Sequence, residues 1–103
     1  MAKQEKKEKR ADLPRHVAYT REFQKAWERY KRAGRHDMHE ARDVMATLFK
    51  GEALGAEYLD HELVGEWDGS RECHIRGDFL LIYQDDGTNL IFVALGTHAE
   101  LFG

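Results

Sequence analysis

The chain has 103 residues, a formal net charge of −3, 42% hydrophobic residues and one cysteine. That is enough for one small domain; it excludes an internal disulfide framework, and no apolar run is long enough to span a membrane. The charge is split: residues 1–50 carry 14 Lys/Arg against 8 Asp/Glu, and residues 51–103 carry 2 against 11.

The opening "MAKQEKKEKRAD" (residues 1–12) is almost all charged or polar and cannot bury enough apolar surface to offset its ordering entropy, so a disordered tail is expected. Residues 13–103 then form a single domain. No apolar signal-peptide core follows the charged start, and the expectation is a soluble, cytoplasmic protein. "RHVAYT" alternates Val17 and Tyr19 with His16 and Ala18, as in an edge strand. In "TREFQKAWERYKRAG", Phe23, Ala26, Trp27, Tyr30 and Ala33 recur at helical spacing, and Gly34 ends the helix. "DMHEARDVMATLFKG" is a second helix. Asp37 and Glu40 are placed for N-terminal capping, Met38, Ala41, Met45 and Leu48 lie on the apolar face, and Gly51 is the stop. The short link predicts a helix hairpin.

The second half reads as strands. "SRECHIR" alternates, with Glu72, His74 and Arg76 facing one way and Arg71, Cys73 and Ile75 the other. "DFLLIYQ" and "NLIFVAL" are apolar on both faces, joined by a "DDGT" turn. The expected fold class is α+β: a helix hairpin packed on a small, mostly antiparallel sheet.

The polar residues outside this plain pattern are His61 in a loop, His74 on the polar face of its strand, Asp78 at the turn after Gly77, and His98 after the last strand. Each has an ordinary reading: a turn cap, a surface strand residue, a tied-down terminus. Together they suit acid–base chemistry on a phosphodiester, since histidine titrates at about 6.5. Metal binding is the competing chemistry. His36 and His39 stand three apart at a helix start, but neither H-E-x-x-H nor a cysteine pair is present, so no metal and no cofactor are expected. Cys73 points to the core side and is not expected to act as a nucleophile. The basic half suggests an anionic partner such as nucleic acid, or simply the solvated faces of two helices.

These residues carry a resemblance. "DHELVGEWDGSRECHIRGDFLLIY" and the ending "GTHAELFG" fit the pattern D-H-x-L, G-x-W-x-G-x-R, a strand His with an Asp four residues later, L-I-Y, and G-T-H-x-x-L-F-G. Together with the element order, they resemble the RelE superfamily of bacterial toxins, and more closely its YafQ-type members, across residues 15 to 103. The resemblance implies a RelE-like microbial RNase fold and a type II toxin held inactive by a cognate antitoxin. It implies an endoribonuclease, an mRNA interferase, that cuts mRNA on the ribosome.

Carried over residue by residue, the resemblance makes His61, His74, Asp78 and His98 catalytic and Phe102 an active-site aromatic. The position after the Asp is commonly Trp and here is Phe79; a Phe keeps base stacking but loses the indole N–H. The reaction is expected to be metal-independent: the 2′-hydroxyl attacks the phosphate, leaving a 2′,3′-cyclic phosphate and a 5′-hydroxyl. Asp78 or His61 takes the proton, His98 protonates the leaving oxygen, and His74 supports the phosphate charge. Arg71 and Arg76 are the candidate phosphate contacts, with Phe79 and Phe102 also binding substrate. Arg29, Lys31 and Arg32 are expected to grip the ribosome, away from the site. The alternative is a non-catalytic protein of the same fold, gyrase-directed or antitoxin-binding only.

Overall fold

The structure, a computed structural model, describes residues 15–103; the expected charged tail, residues 1–12, lies outside the described residues. The described chain runs β1 (His16–Tyr19), α1 (Arg21–Ala33), α2 (Met38–Phe49), β2 (His61–Glu62), β3 (Arg71–Arg76), β4 (Phe79–Asp85), β5 (Asn89–Gly96) and α3 (His98–Phe102), with short 3-10 turns at Ala56–Tyr58 and Gly65–Trp67. The strands form a single sheet in the order β1-β5-β4-β3-β2. Only the β1–β5 pair is parallel. The edge strand, the two long helices and the three-strand meander all stand where the sequence puts them. Two elements add to that reading: β2, and the terminal α3.

The helix boundaries follow from local chemistry. Thr20 caps α1 by accepting from the Phe23 N–H at 3.0 Å. Asp37 caps α2, accepting from His39 and Glu40 N–H at 3.0 and 3.1 Å. The reciprocal half of the expected capping pair does not form. The Glu40 carboxylate instead takes Arg76 at 2.9 Å and the Tyr58 hydroxyl at 3.3 Å. α1 lies over β5 and α2 over β3. Phe23, Ala26 and Tyr30 of α1 and Ala41, Val44 and Leu48 of α2 enter one core with Cys73, Ile75, Phe79, Leu81, Tyr83 and Phe92 of the sheet. Val44 takes the central place on α2, and Met38 and Met45 sit at its margin.

Arg15, just before β1, is buried. Its guanidinium donates to the Leu48 carbonyl at the end of α2 and pairs with Asp85 at the end of β4. The contact ties the start of the described chain to both layers.

The strand faces decide where the chemistry lies. Cross-strand partners share a face. Arg71 pairs with Tyr83, Cys73 with Leu81, and Arg76 with Phe79, on the helix-covered face. Glu72 pairs with Ile82 and His74 with Leu80, on the opposite face. A bulge between His74 and Arg76 inserts one residue and moves Arg76 to the other side. This corrects the simple alternation, in which Arg76 shared a face with His74.

Candidate active site

His61 sits not in a loop but on β2, where two residues pair with the edge of β3; its register partner is Glu72. Glu72 is buried at 4% exposure. Its Oε1 lies 3.3 Å from His61 Nε2 and 3.5 Å from His74 Nε2. The buried carboxylate therefore stands between two imidazoles, one from each strand. His61 Nδ1 meets the Leu59 carbonyl at 2.7 Å, so that nitrogen carries the proton and Nε2 is the one turned to Glu72.

His98 is the first residue of α3. Asp78, exposed at the β3–β4 turn, holds it at two atoms. Asp78 Oδ1 accepts the His98 backbone N–H at 3.0 Å and faces His98 Nδ1 at 2.6 Å. The same contacts, the backbone hydrogen bond first and the ring second, hold the Asp78 carboxyl below the usual carboxylate value. An ionised Asp78 fixes the Nδ1–H tautomer of His98 and leaves Nε2 for a substrate. The His98 ring lies edge-on to His74, with centroids 5.6 Å apart. Phe102, one turn on, is exposed at 42% and packs its ring 5.9 Å from His98 and 5.7 Å from Trp67.

All four expected catalytic residues thus meet on one face: His61 and His74 through Glu72, His74 beside His98, and His98 on Asp78. The expected substrate contacts divide. Phe102 lies open to solvent beside His98. Phe79 lies away from it in the core, 1% exposed, stacked on His36 at 4.4 Å and against Tyr30 at 4.9 Å. The strand after Gly77 starts with Phe79 turned inward, and a ring packed into the core has no face for a base. Arg71 and Arg76 also lie apart from the cluster. Arg71 pairs with Asp60 at 3.2 Å and Glu62 at 3.6 Å, Arg76 pairs with Glu40 at 2.9 Å, and both lie on the face away from the histidines.

The basic helix is also nearer than expected. Arg29 reaches Glu100 of α3 at 4.0 Å, while Lys31 and Arg32 stand exposed in the last turn of α1.

A chain match decides the family. A family model described as "Bacterial toxin of type II toxin-antitoxin system, YafQ" matches residues 15–103. The chain belongs to the YafQ toxin family. A curated relative, the mRNA interferase toxin YafQ of Escherichia coli K12, is 37% identical over 86 residues, covering 82% of this chain and 88% of its own length. The crystal structure of the E. coli DinJ–YafQ toxin–antitoxin complex matches at a TM-score of 0.82 and 34% identity, over 88% of this chain and 100% of that one. A copper-bound mutant toxin from Helicobacter pylori matches at a TM-score of 0.79 and 35% identity, over 86% of this chain and 100% of that one. The α+β fold read from the sequence is the YafQ fold.

Among the described residues, the side chains placed to share a metal ion belong to the histidine cluster and not to His36 and His39. Glu72, His74 and His98 each offer one ligand atom, all within 4.8 Å of one another, a mixed nitrogen and oxygen set of the kind that suits zinc or copper. The ring of His36, by contrast, lies against Phe79 and Tyr30.

Two residues packed into this cluster were not singled out from the sequence. Glu72 stands two before His74 on the same face, and that spacing was the available signal; its burial was not readable. Trp67, the aromatic of G-x-W-x-G-x-R, packs on Phe102.

Proposed function

We propose that this toxin cuts mRNA in the ribosomal A site by metal-independent acid–base catalysis at His61, Glu72, His74, Asp78 and His98. It is an endoribonuclease of the mRNA interferase type, a toxin of a type II pair, and a cognate antitoxin restrains it as DinJ is found with its E. coli relative. No helix among the described residues is long and apolar enough to cross a membrane, and a ribosomal target implies a cytoplasmic site of action.

The observation that carries this reading is the pairing of carboxylates with histidines: Glu72 with His61 and His74, Asp78 with His98. Asp78 Oδ1 is already engaged twice by His98, which makes Asp78 a poor proton acceptor and favours His61 as the base. His61 Nε2 takes the 2′-hydroxyl proton, and the imidazolium formed faces Glu72. The 2′ oxygen bonds to phosphorus and the bond from phosphorus to the 5′ oxygen breaks. His98 Nε2–H delivers a proton to that leaving oxygen, with Asp78 stabilising the ring while it is charged. His74, beside Glu72, supports the phosphate charge. The products are a 2′,3′-cyclic phosphate and a 5′-hydroxyl. A metal ion on Glu72, His74 and His98 would bring positive charge to the phosphate, but it would occupy lone pairs that this step uses.

The test is induced expression in bacteria with primer extension on a reporter mRNA, beside His98→Gln checked for folding by circular dichroism. Discrete cuts with cyclic phosphate ends are expected from the wild type and none from the variant. Wild-type cutting by folded His98→Gln would refute the assignment.

A further inference from the structure

α3 carries His98 and Phe102, yet it is only five residues long. So short a helix is unstable by itself and needs contacts from elsewhere in the fold. Part of the hold is local: Thr97 accepts the Glu100 N–H at 3.2 Å, and Glu100 Oε1 accepts the Thr97 N–H at 3.0 Å. The rest comes from α1. The Tyr30 hydroxyl donates to Glu100 Oε1, and the Arg29 guanidinium stands 4.0 Å from Oε2. Gly96 leaves room for this arrangement, since a Cβ there would meet Glu100 Oε1 at 2.6 Å.

The direction of the bond is fixed. Burial, then the Glu100 hydrogen bond, pushes the Tyr30 hydroxyl up to about 12. The Tyr30 hydrogen bond, more than any other lowering contact, holds the Glu100 carboxyl below its usual value. At neutral pH Tyr30 is the donor and Glu100 the ionised acceptor. His98 and Glu100 are two residues apart on α3, so one engages the β3–β4 turn and the other engages α1. The helix is held between Asp78 and Tyr30.

We propose that Tyr30 and Glu100 are positioning residues for RNA cleavage: the Tyr30 hydroxyl, acting through Glu100, sets α3 and thereby the place of His98 Nε2 against the scissile phosphate. The inference rests on the assignment of His98 as the general acid. Neither Tyr30 nor Glu100 touches RNA. Their effect is geometric, and a misplacement of about 1 Å can lower a rate by about 10²-fold.

Single-turnover cleavage on mRNA-programmed ribosomes tests it, using the full chain. Tyr30→Phe keeps the ring in the core and removes only the hydroxyl. Gly96→Ala leaves α1 untouched and pushes Glu100 aside. Glu100→Gln keeps an oxygen that accepts from both Tyr30 and Thr97. The first two should cut at least about tenfold slower at saturating ribosomes, with half-saturation unchanged and folding intact by circular dichroism, while Glu100→Gln retains most of the rate. A wild-type rate in Tyr30→Phe or Gly96→Ala, with His98→Gln inactive, overturns the positioning role and leaves the site assignment standing. A loss confined to ribosome affinity overturns it too. A wild-type rate in His98→Gln removes the assignment itself.

Discussion

Asp78 grips His98 at both its backbone and its ring, with one carboxylate oxygen serving the N–H at 3.0 Å and Nδ1 at 2.6 Å. Orientation and tautomer are set by the same atom. Asp78→Asn can still accept one hydrogen bond but cannot stabilise a charged ring. Its ribosome-dependent cleavage should fall by roughly 10²-fold or more, the scale of lost proton transfer. Because Asp78 is exposed, the thermal midpoint should barely move, and calorimetry beside the cleavage assay checks both.

Acid should loosen α3. Asp78 and Glu100 both sit below their usual values of 3.8 and 4.5 in the folded chain. A depressed folded value means stability that is fully present above the unfolded value and is lost as pH falls through the folded one. The hold on α3 should therefore be complete at pH 6 and weaken as pH falls below these usual values and through the lowered folded ones. Trp67 packs on Phe102 and reports it: its emission should shift over that range. Titrating Asp78→Asn should remove the part of the change that Asp78 carries.

Phe79 is a core residue, and its replacement should read as stability. Phe79→Ala should lower the unfolding free energy by about 3–5 kcal/mol, measured in urea. Phe79→Leu, which keeps most of the volume, should leave the pattern of cut sites unchanged; a new cut-site preference in that variant would return the ring to substrate contact.

Naked mRNA should be a poor substrate. Both arginines of the site half are paired with carboxylates on the far face, and non-specific RNA affinity comes mainly from Lys and Arg contacts to phosphate. Cleavage of translated message should far exceed cleavage of the same transcript alone at physiological salt. Lys31→Glu with Arg32→Glu should weaken the ribosomal reaction, whereas Arg29 is unsuited to this test because it touches Glu100 of α3. Equal rates on both substrates would show an RNA path that avoids the acidic residues.

Zinc or copper should inhibit. The donors in reach are Glu72, His74 and His98, and an ion there competes with the proton for the same lone pairs. Chelator-treated enzyme should cut mRNA on pre-assembled ribosomes at full rate, and micromolar zinc should slow it reversibly. A saturable rise in rate with added metal would reverse the assignment.

What the sequence determined alone is what neighbours in the chain settle. The helical spacing of Phe23, Ala26 and Tyr30, the Asp37 cap, the turn at Gly87 and the two-sided apolar run from Phe79 to Tyr83 depend on residues within a few positions of one another. The chemical residue types at His61, His74, Asp78 and His98 were legible for the same reason, as breaks in those patterns. The tertiary structure decided whatever depends on strand register and on burial from afar. One extra residue between His74 and Arg76 turns Arg76 to the helix face, because side chains alternate with a period of two and a single insertion exchanges the faces. Pairing of β2 with β3 brings His61 to Glu72, 11 positions away. Closure of the sheet under α1 brings Tyr30 to Glu100, 70 positions away, and no local pattern records a hydrogen bond across that distance.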